Sequence, residues 1–283
     1  MKKATKILTS IPLYVWIILF TVLPLLMILV YAVFDVTPEG VHFTFSHIKA
    51  VVSNRDYYSA ALRSIHYAVV ATLVCLLLGF PLSYILTTLD EKKQNLMTVL
   101  LLLPMWMNFL IRTYALMSLI DEDGIVTKFT QLLGLEDFML KGTDAATIIG
   151  MVYNFLPFMV LPIYTSMMKI DKGLIEAAQD LGGNTFHVFK GVIFPLTVPG
   201  VVSGITMVFV PCVTTFVIPQ LLNNNVWTIG TLIEKKFVSE ASSNGVSGDG
   251  AALSFFLMIL VFICMSIFNK LDKDDENPGG LVI

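Results

Sequence analysis

Charge is scarce in this chain. Asp, Glu, Lys and Arg make up 14% of its 283 residues, where soluble domains run near a quarter. Cysteine is scarcer still. Cys75, Cys212 and Cys264 lie far apart inside apolar runs, which argues against a disulfide framework or a thiolate metal site and reads as packing. No G-x-x-x-x-G-K-[ST] phosphate loop occurs, so the chain has no means of cradling the phosphates of ATP. It has no H-E-x-x-H and no His and Cys at metal-ligand spacing, and His66 and His187 have no partner visible in the sequence. No Asp or Glu lies deep in an apolar run. Proton-coupled carriers usually hold such a carboxylate as a relay, so its absence weighs against a self-powered carrier.

What the chain has in abundance is apolar length: 56% of residues are hydrophobic and the mean hydropathy is +0.79. A bilayer span takes about 20 mostly apolar residues. Six windows qualify, at approximately 11–34, 64–89, 96–120, 145–168, 192–219 and 251–269. Non-helical backbone cannot face lipid, so each is expected to be a helix. The expected fold is an all-α polytopic membrane protein with six transmembrane helices. Lys2, Lys3 and Lys6 precede the first run, which is longer than a signal-peptide core and lacks an A-x-A ending, so it reads as a retained span. The link 220–250 ends in S-S-N-G-V-S-G-D-G, a flexible-loop composition, and the tail N-K-L-D-K-D-D-E-N-P-G-G reads as disordered.

Lys and Arg give the orientation. The side holding both termini carries ten of them and the other side seven, in longer loops where the rule is weaker. Both termini are therefore expected in the cytoplasm, together with the polar segment 169–191. That segment contains E-A-A-Q-D-L-G-G-N-T-F-H-V-F-K-G-V-I-F-P, residues 176–195. A short charged helix, a Gly-Gly break and a return to apolar sequence make an element suited to being gripped. Gly182 and Gly183 could equally do no more than end the helix, since Gly supplies the left-handed cap position.

The segment resembles the EAA loop of ABC importer permeases: E-A-A, three residues, Gly, nine residues, I-x-L-P. Glu176, Ala177, Ala178, Gly182 and Pro195 occupy its positions, with Val192 for Ile and Phe194 for Leu. Pro104 to Tyr114 (P-M-W-M-N-F-L-I-R-T-Y) and the stretch from Leu156 through Gly200 are similar to the first permease of spermidine/putrescine importers. The resemblance implies a type I importer permease fold with a permease core over about 62–270, preceded by an N-terminal helix and extracytoplasmic segment (1–61) and followed by a flexible cytoplasmic tail (271–283). It implies that Glu176, Ala177, Ala178, Gly182 and Gly183 form the coupling loop for a separate ATP-binding subunit dimer, which would use ATP and Mg while this chain binds no cofactor or metal. It implies three further associations: a second permease, an extracytoplasmic solute-binding protein, and a bacterial inner membrane. The expected solute is a polyamine. The alternatives are another small solute, or a secondary carrier or channel needing no ATPase.

Candidate pathway or gate residues are Trp106, Asn108, Arg112, Tyr114, Pro211 and Thr214. Arg112 lies about eight residues from the outer end of its span, roughly 12 Å deep at 1.5 Å per residue. A charge there faces a cavity or a partner, or snorkels to the surface. Asn108 is one turn below it. As a cation, Arg112 is expected to pair with a carboxylate or order a gate. Trp106 and Tyr114 offer ring faces to an ammonium group, or simply pack at the interface. Pro195, Pro199, Pro211 and Pro219 are expected to bend the fifth span, with Thr214 and Thr215 satisfying freed carbonyls. Asp121, Glu122 and Asp123 form an acidic run at the outer mouth. The outer segments carry twelve acids against seven bases, a field that attracts cations, although acids collect outside wherever bases are held inside.

Overall fold

The computed structural model describes residues 11–37, 40–133, 139–241 and 248–275. Helix dominates. Among the described residues, five helices are long and apolar enough to cross a membrane, or six if one sharply bent pair is counted as a single span. The chain divides into two compact units: Met1–Ala61 with Ile229–Leu260, and Leu62–Thr228 with Val261–Ile283.

The first unit opens with α1, Ile11–Val33, whose apolar window has no buried residue. A wide π-turn over Ile18–Val22 interrupts it just ahead of Pro24. Such a turn shifts the hydrogen-bond register and accommodates a ring that cannot donate. A hairpin follows, β1 (Phe34–Thr37) antiparallel to β2 (Gly40–Phe43), with Phe34 opposite Phe43. Then come α2, Ser46–Ser53, and the start of α3, Arg55–Thr88. After the second unit the chain returns through α11, Ile229–Ala241, and α12, Gly248–Asp275. Ala32, Val51, Ala251, Ala252 and Leu253 form the small core of this unit, flanked by Tyr31, Tyr57, Leu232 and Ile233. Beside it, Asp249 accepts from His47 Nδ1 (2.9 Å) and from Lys236 Nζ (3.1 Å). Burial works against the Lys236 ammonium, but its bonds to Asp249 and Tyr57 outweigh that cost and hold its pKa above the ordinary lysine value.

In the second unit α3 leads to α4, Glu91–Trp106, then α5, Phe109–Ile120, α6, Ile125–Leu132, and α7, Asp144–Met167. The short α8, Lys172–Asp180, precedes α9, Thr185–Thr214, and α10, Val217–Leu222. The closest helix packing is α7 on α9, and small residues permit it. A side chain at Gly200 would run into Ser166 and the Pro162 carbonyl, and one at Gly204 into Met159. Ser83 adds a polar tie from α3 to α7, its hydroxyl donating to the carbonyls of Gly79 and Val160.

Expectations about two spans and the tail change. The run 96–120 is not one helix: α4 and the segment Phe109–Leu132 meet at 94°. Pro104 removes a donor in the last turn of α4, and Met107 and Asn108 are extended. The run 192–219 is not one helix either. It begins earlier, at Thr185, passes through a π-turn (Phe189–Ile193) ahead of Pro195, and stops at Thr214 because Thr215 is extended. Finally, the polar links carry structure of their own, including the hairpin, α2, α6 and α11. Helix α12 runs to Asp275, inside the segment read as a tail. Residues 242–247 of the Ser/Gly loop and 276–283 of the tail lie outside the described residues.

Candidate functional site

The break between α4 and α5 is built by one side chain and bridged by another. Asn108 is the N-cap of α5, its Oδ1 accepting from the amides of Leu110 (2.8 Å) and Ile111 (3.4 Å). That satisfies two donors that a helix start leaves unpaired. One turn on, Arg112 is 6% exposed. Its Nη1 donates to the Pro104 carbonyl at 3.0 Å, so it takes up an acceptor in the last turn of α4. Its Nε donates to Asn154 Oδ1 of α7 at 2.7 Å. Asn154 is wholly buried and donates in turn to the Gly150 carbonyl at 2.8 Å. The rings of Phe109 and Tyr153 lie 6.0 and 5.9 Å from the guanidinium carbon. The expected carboxylate is not the partner: an amide oxygen and a carbonyl are. A delocalised, weakly hydrated guanidinium is suited to such neutral acceptors. Arg112 thus ties three helices at the break, and it does so inside the unit.

Trp106 and Tyr114 are exposed, Trp106 to 81%. Among the described residues, no hydrogen bond or ring contact joins either of them to Arg112. Pro211 lies in the last turn of α9. Thr214, the final residue, donates its hydroxyl to the carbonyls of Val210 (3.1 Å) and Pro211 (3.4 Å). No hydrogen bond joins Pro211 or Thr214 to Arg112 among the described residues.

The acidic run is not uniform. Asp121 holds Lys141 Nζ with both oxygens, at 2.9 and 3.0 Å, so its charge is matched by a base from the next loop. Glu122 and Asp123 are exposed, and among the described residues no ion pair matches their charge. A residue counted only among the outer acids gains a more definite place. Asp144, in the first turn of α7, accepts from Tyr67 Oη (2.6 Å) and Asn223 Nδ2 (3.0 Å). Both donors are almost fully buried. The position of Asp144 also suits the positive end of the helix dipole.

The polar segment 169–191 forms a small projecting element. Asp171 caps α8, accepting from the Gly173 amide at 3.0 Å. No residue of α8 is buried, and Glu176 and Ala177 are exposed. Glu176 makes no bond within the chain among the described residues. The helix ends in a Schellman motif. Gly182 sits at φ +83°, its amide donates to the Gln179 carbonyl at 2.8 Å, and the Gly183 amide donates to the Ala178 carbonyl at 3.0 Å. A side chain on Gly183 would strike that Ala178 carbonyl. Asn184 then caps α9, accepting from the amide of His187 at 2.9 Å and lying 2.7 Å from its Nδ1. This gives His187 a local structural role. Behind α8, a cavity of about 390 Å³ separates it from the ends of α3, α4 and α7, with Tyr84, Gln94, Met168, Ile175 and Gln179 among its walls.

Sequence reasoning missed Asn154, Lys141, Tyr67 and Asn223. Asn154 left one signal, an amide in the middle of an apolar run. The others needed the fold to bring them together.

No family model matches the chain. It is 36% identical over 259 residues to the spermidine/putrescine transport system permease protein PotB of Salmonella typhimurium (strain SL1344), across 89% of this chain and 88% of that one. The PotB protein of Escherichia coli (strain K12) is 34% identical over 259 residues, across 89% and 92%. Among solved structures, a chain from a bacterial ABC transporter involved in the import of the acidic polysaccharide alginate superposes with a TM-score of 0.75 at 14% identity, covering 96% of both chains. A chain of the MetNI methionine ABC transporter gives 0.59 at 15% identity, covering 77% of this chain and 95% of that one. At these identities the structural likeness carries the fold alone.

Proposed function

Because this chain belongs to the spermidine/putrescine transport system permease family, we propose that it is one of two permease subunits forming the path for a polyamine through a bacterial inner membrane. A binding protein outside delivers the solute, and a dimer of separate ATPase subunits inside supplies the energy, using ATP and Mg. In this reading the bent pair α4 and α5–α6 counts as one span. The chain then crosses six times with both termini in the cytoplasm, and the permease core runs over about 62–270.

The observation that carries this reading is the form of α8. It is capped at both ends, buries no residue and presents Glu176 with no bond to it among the described residues. A nine-residue helix with an unburied surface has little stability of its own, which is what an element completed by docking on another subunit requires. Motion of the ATPases would push α8 and, through it, α7 and α9, between which it is strung. The cavity behind α8 leaves room for that displacement. Nearer the membrane centre, Arg112 would hold α4, α5 and α7 in register, so that the break moves as a unit. Glu122 and Asp123 would draw a polycation toward the mouth, and Trp106 and Tyr114 would offer it ring faces.

The direct test is reconstitution with a second permease, the ATPase and the binding protein in liposomes. Labelled spermidine should accumulate only when ATP and the binding protein are both present. Accumulation driven by an ion gradient, with no ATPase, would overturn the reading.

A further inference from the structure

The hairpin after α1 carries an aromatic array that no part of the transport reading uses. Phe34 stands opposite Phe43 across the two strands, with ring centroids 5.4 Å apart and planes at 71°. Phe45 stands edge-on to Phe43 at 4.8 Å and 84°. These are the edge-to-face arrangements that aromatic quadrupoles favour. Yet two of the three rings stand open: Phe43 is 61% exposed and Phe45 60%. Its position follows from the backbone. Phe34 directly follows Val33, the last residue of α1, and the Thr44 amide donates to the Val33 carbonyl at 2.8 Å. The rings therefore gather at the end of α1. At 1.5 Å per residue the 23 residues of α1 reach about 34 Å, against a hydrocarbon thickness of about 30 Å. The neighbours are polar, with Thr44 and Ser46 hydroxyls 3.0 Å apart.

We propose that Phe34, Phe43 and Phe45 form a lipid-binding anchor, seated at the boundary between acyl chains and headgroups where α1 leaves the bilayer. Aromatic rings beside polar groups favour that boundary. The three rings are uncharged, and they are continuous with a helix whose apolar window buries no residue. The anchor fixes the depth of α1 and the level at which the hairpin emerges. This inference requires only that α1 spans the bilayer.

Photocrosslinking tests it. p-Benzoylphenylalanine is placed at position 43 or 45 of the full chain, and the assembled importer is irradiated in nanodiscs of phosphatidylethanolamine and phosphatidylglycerol, with and without saturating binding protein. Lipid adducts should exceed protein adducts several-fold at both positions, and binding protein should not change them. As a conservative second variant, Phe45→Trp should add tryptophan emission that is quenched by lipids brominated near the headgroup. Predominant adducts to the binding protein or to the second permease would overturn the proposal, as would the absence of both lipid adducts and quenching. Spermidine uptake measured on the same preparations reports separately on the proposed function.

Discussion

Arg112 and Asn154 meet inside the second unit, Nε to Oδ1 at 2.7 Å, although 42 residues separate them in the chain. Each answers a problem the other poses. A guanidinium in an apolar span needs acceptors, and an amide in a buried helix needs a donor beyond its own backbone.

Breaking this pair should cost more than a surface contact. Hydrogen bonds to charged groups contribute about 1.5–3 kcal/mol, and an orphaned buried charge costs at least that. Asn154→Ala and Arg112→Ala should each lower thermal stability and impair uptake with the binding protein saturated. In the double variant the effects should fall short of additive. Arg112→Lys should not rescue, since a single ammonium lacks the planar fork that reaches both Asn154 and Pro104. Melting in detergent and uptake in liposomes check this, and an Arg112→Ala variant transporting normally would defeat the gate assignment.

At α8, two substitutions should separate folding from coupling. Glu176→Lys alters an exposed residue that has no partner among the described residues, so expression and insertion should be normal while uptake falls. Gly182→Val forces a branched side chain into a left-handed conformation, a strain of order 1–2 kcal/mol or more, and should disturb the turn that aims the helix. ATP hydrolysis and uptake are measured together at equal expression. Wild-type uptake in both variants would remove the docking reading.

For the outer mouth, the acids should not behave alike. Glu122→Gln with Asp123→Asn should lower uptake more at low salt than at high salt, because screening already masks their field at high ionic strength. Asp121→Asn should act differently. It releases Lys141, unpins the loop and adds uncompensated positive charge, so part of its effect should persist at high salt. Initial uptake rates across a salt series distinguish the two.

Vesicles containing this chain alone should accumulate no spermidine, with or without a proton gradient. The sequence offers neither a phosphate loop nor a carboxylate deep in a span. Gradient-driven uptake by the purified chain would contradict the importer reading outright.

Much of this molecule was legible in one dimension because its strongest signals are local. Apolar run length follows from bilayer thickness, and the spacing of Glu176, Gly182 and Pro195 lies within one segment. The left-handed turn at Gly182 could be anticipated from Gly-Gly alone. The break at Met107–Asn108 was less legible. Hydropathy measures how long a run is, and Trp-Met-Asn interrupts the backbone without interrupting apolarity.

What the sequence by itself determined is the class of the protein: apolar runs long enough to span a bilayer, no phosphate-loop motif, and a polar segment with a charged helix and a Gly-Gly break. Each follows from residues adjacent or nearly adjacent in the chain. Only the tertiary structure decided which polar groups satisfy one another. Arg112 takes Asn154 and Pro104 rather than a carboxylate, Asp121 takes Lys141, and Asp144 takes Tyr67 and Asn223. Hydrogen bonds act over about 3 Å in space, and their donors and acceptors are brought that close by helix packing, which no local pattern records.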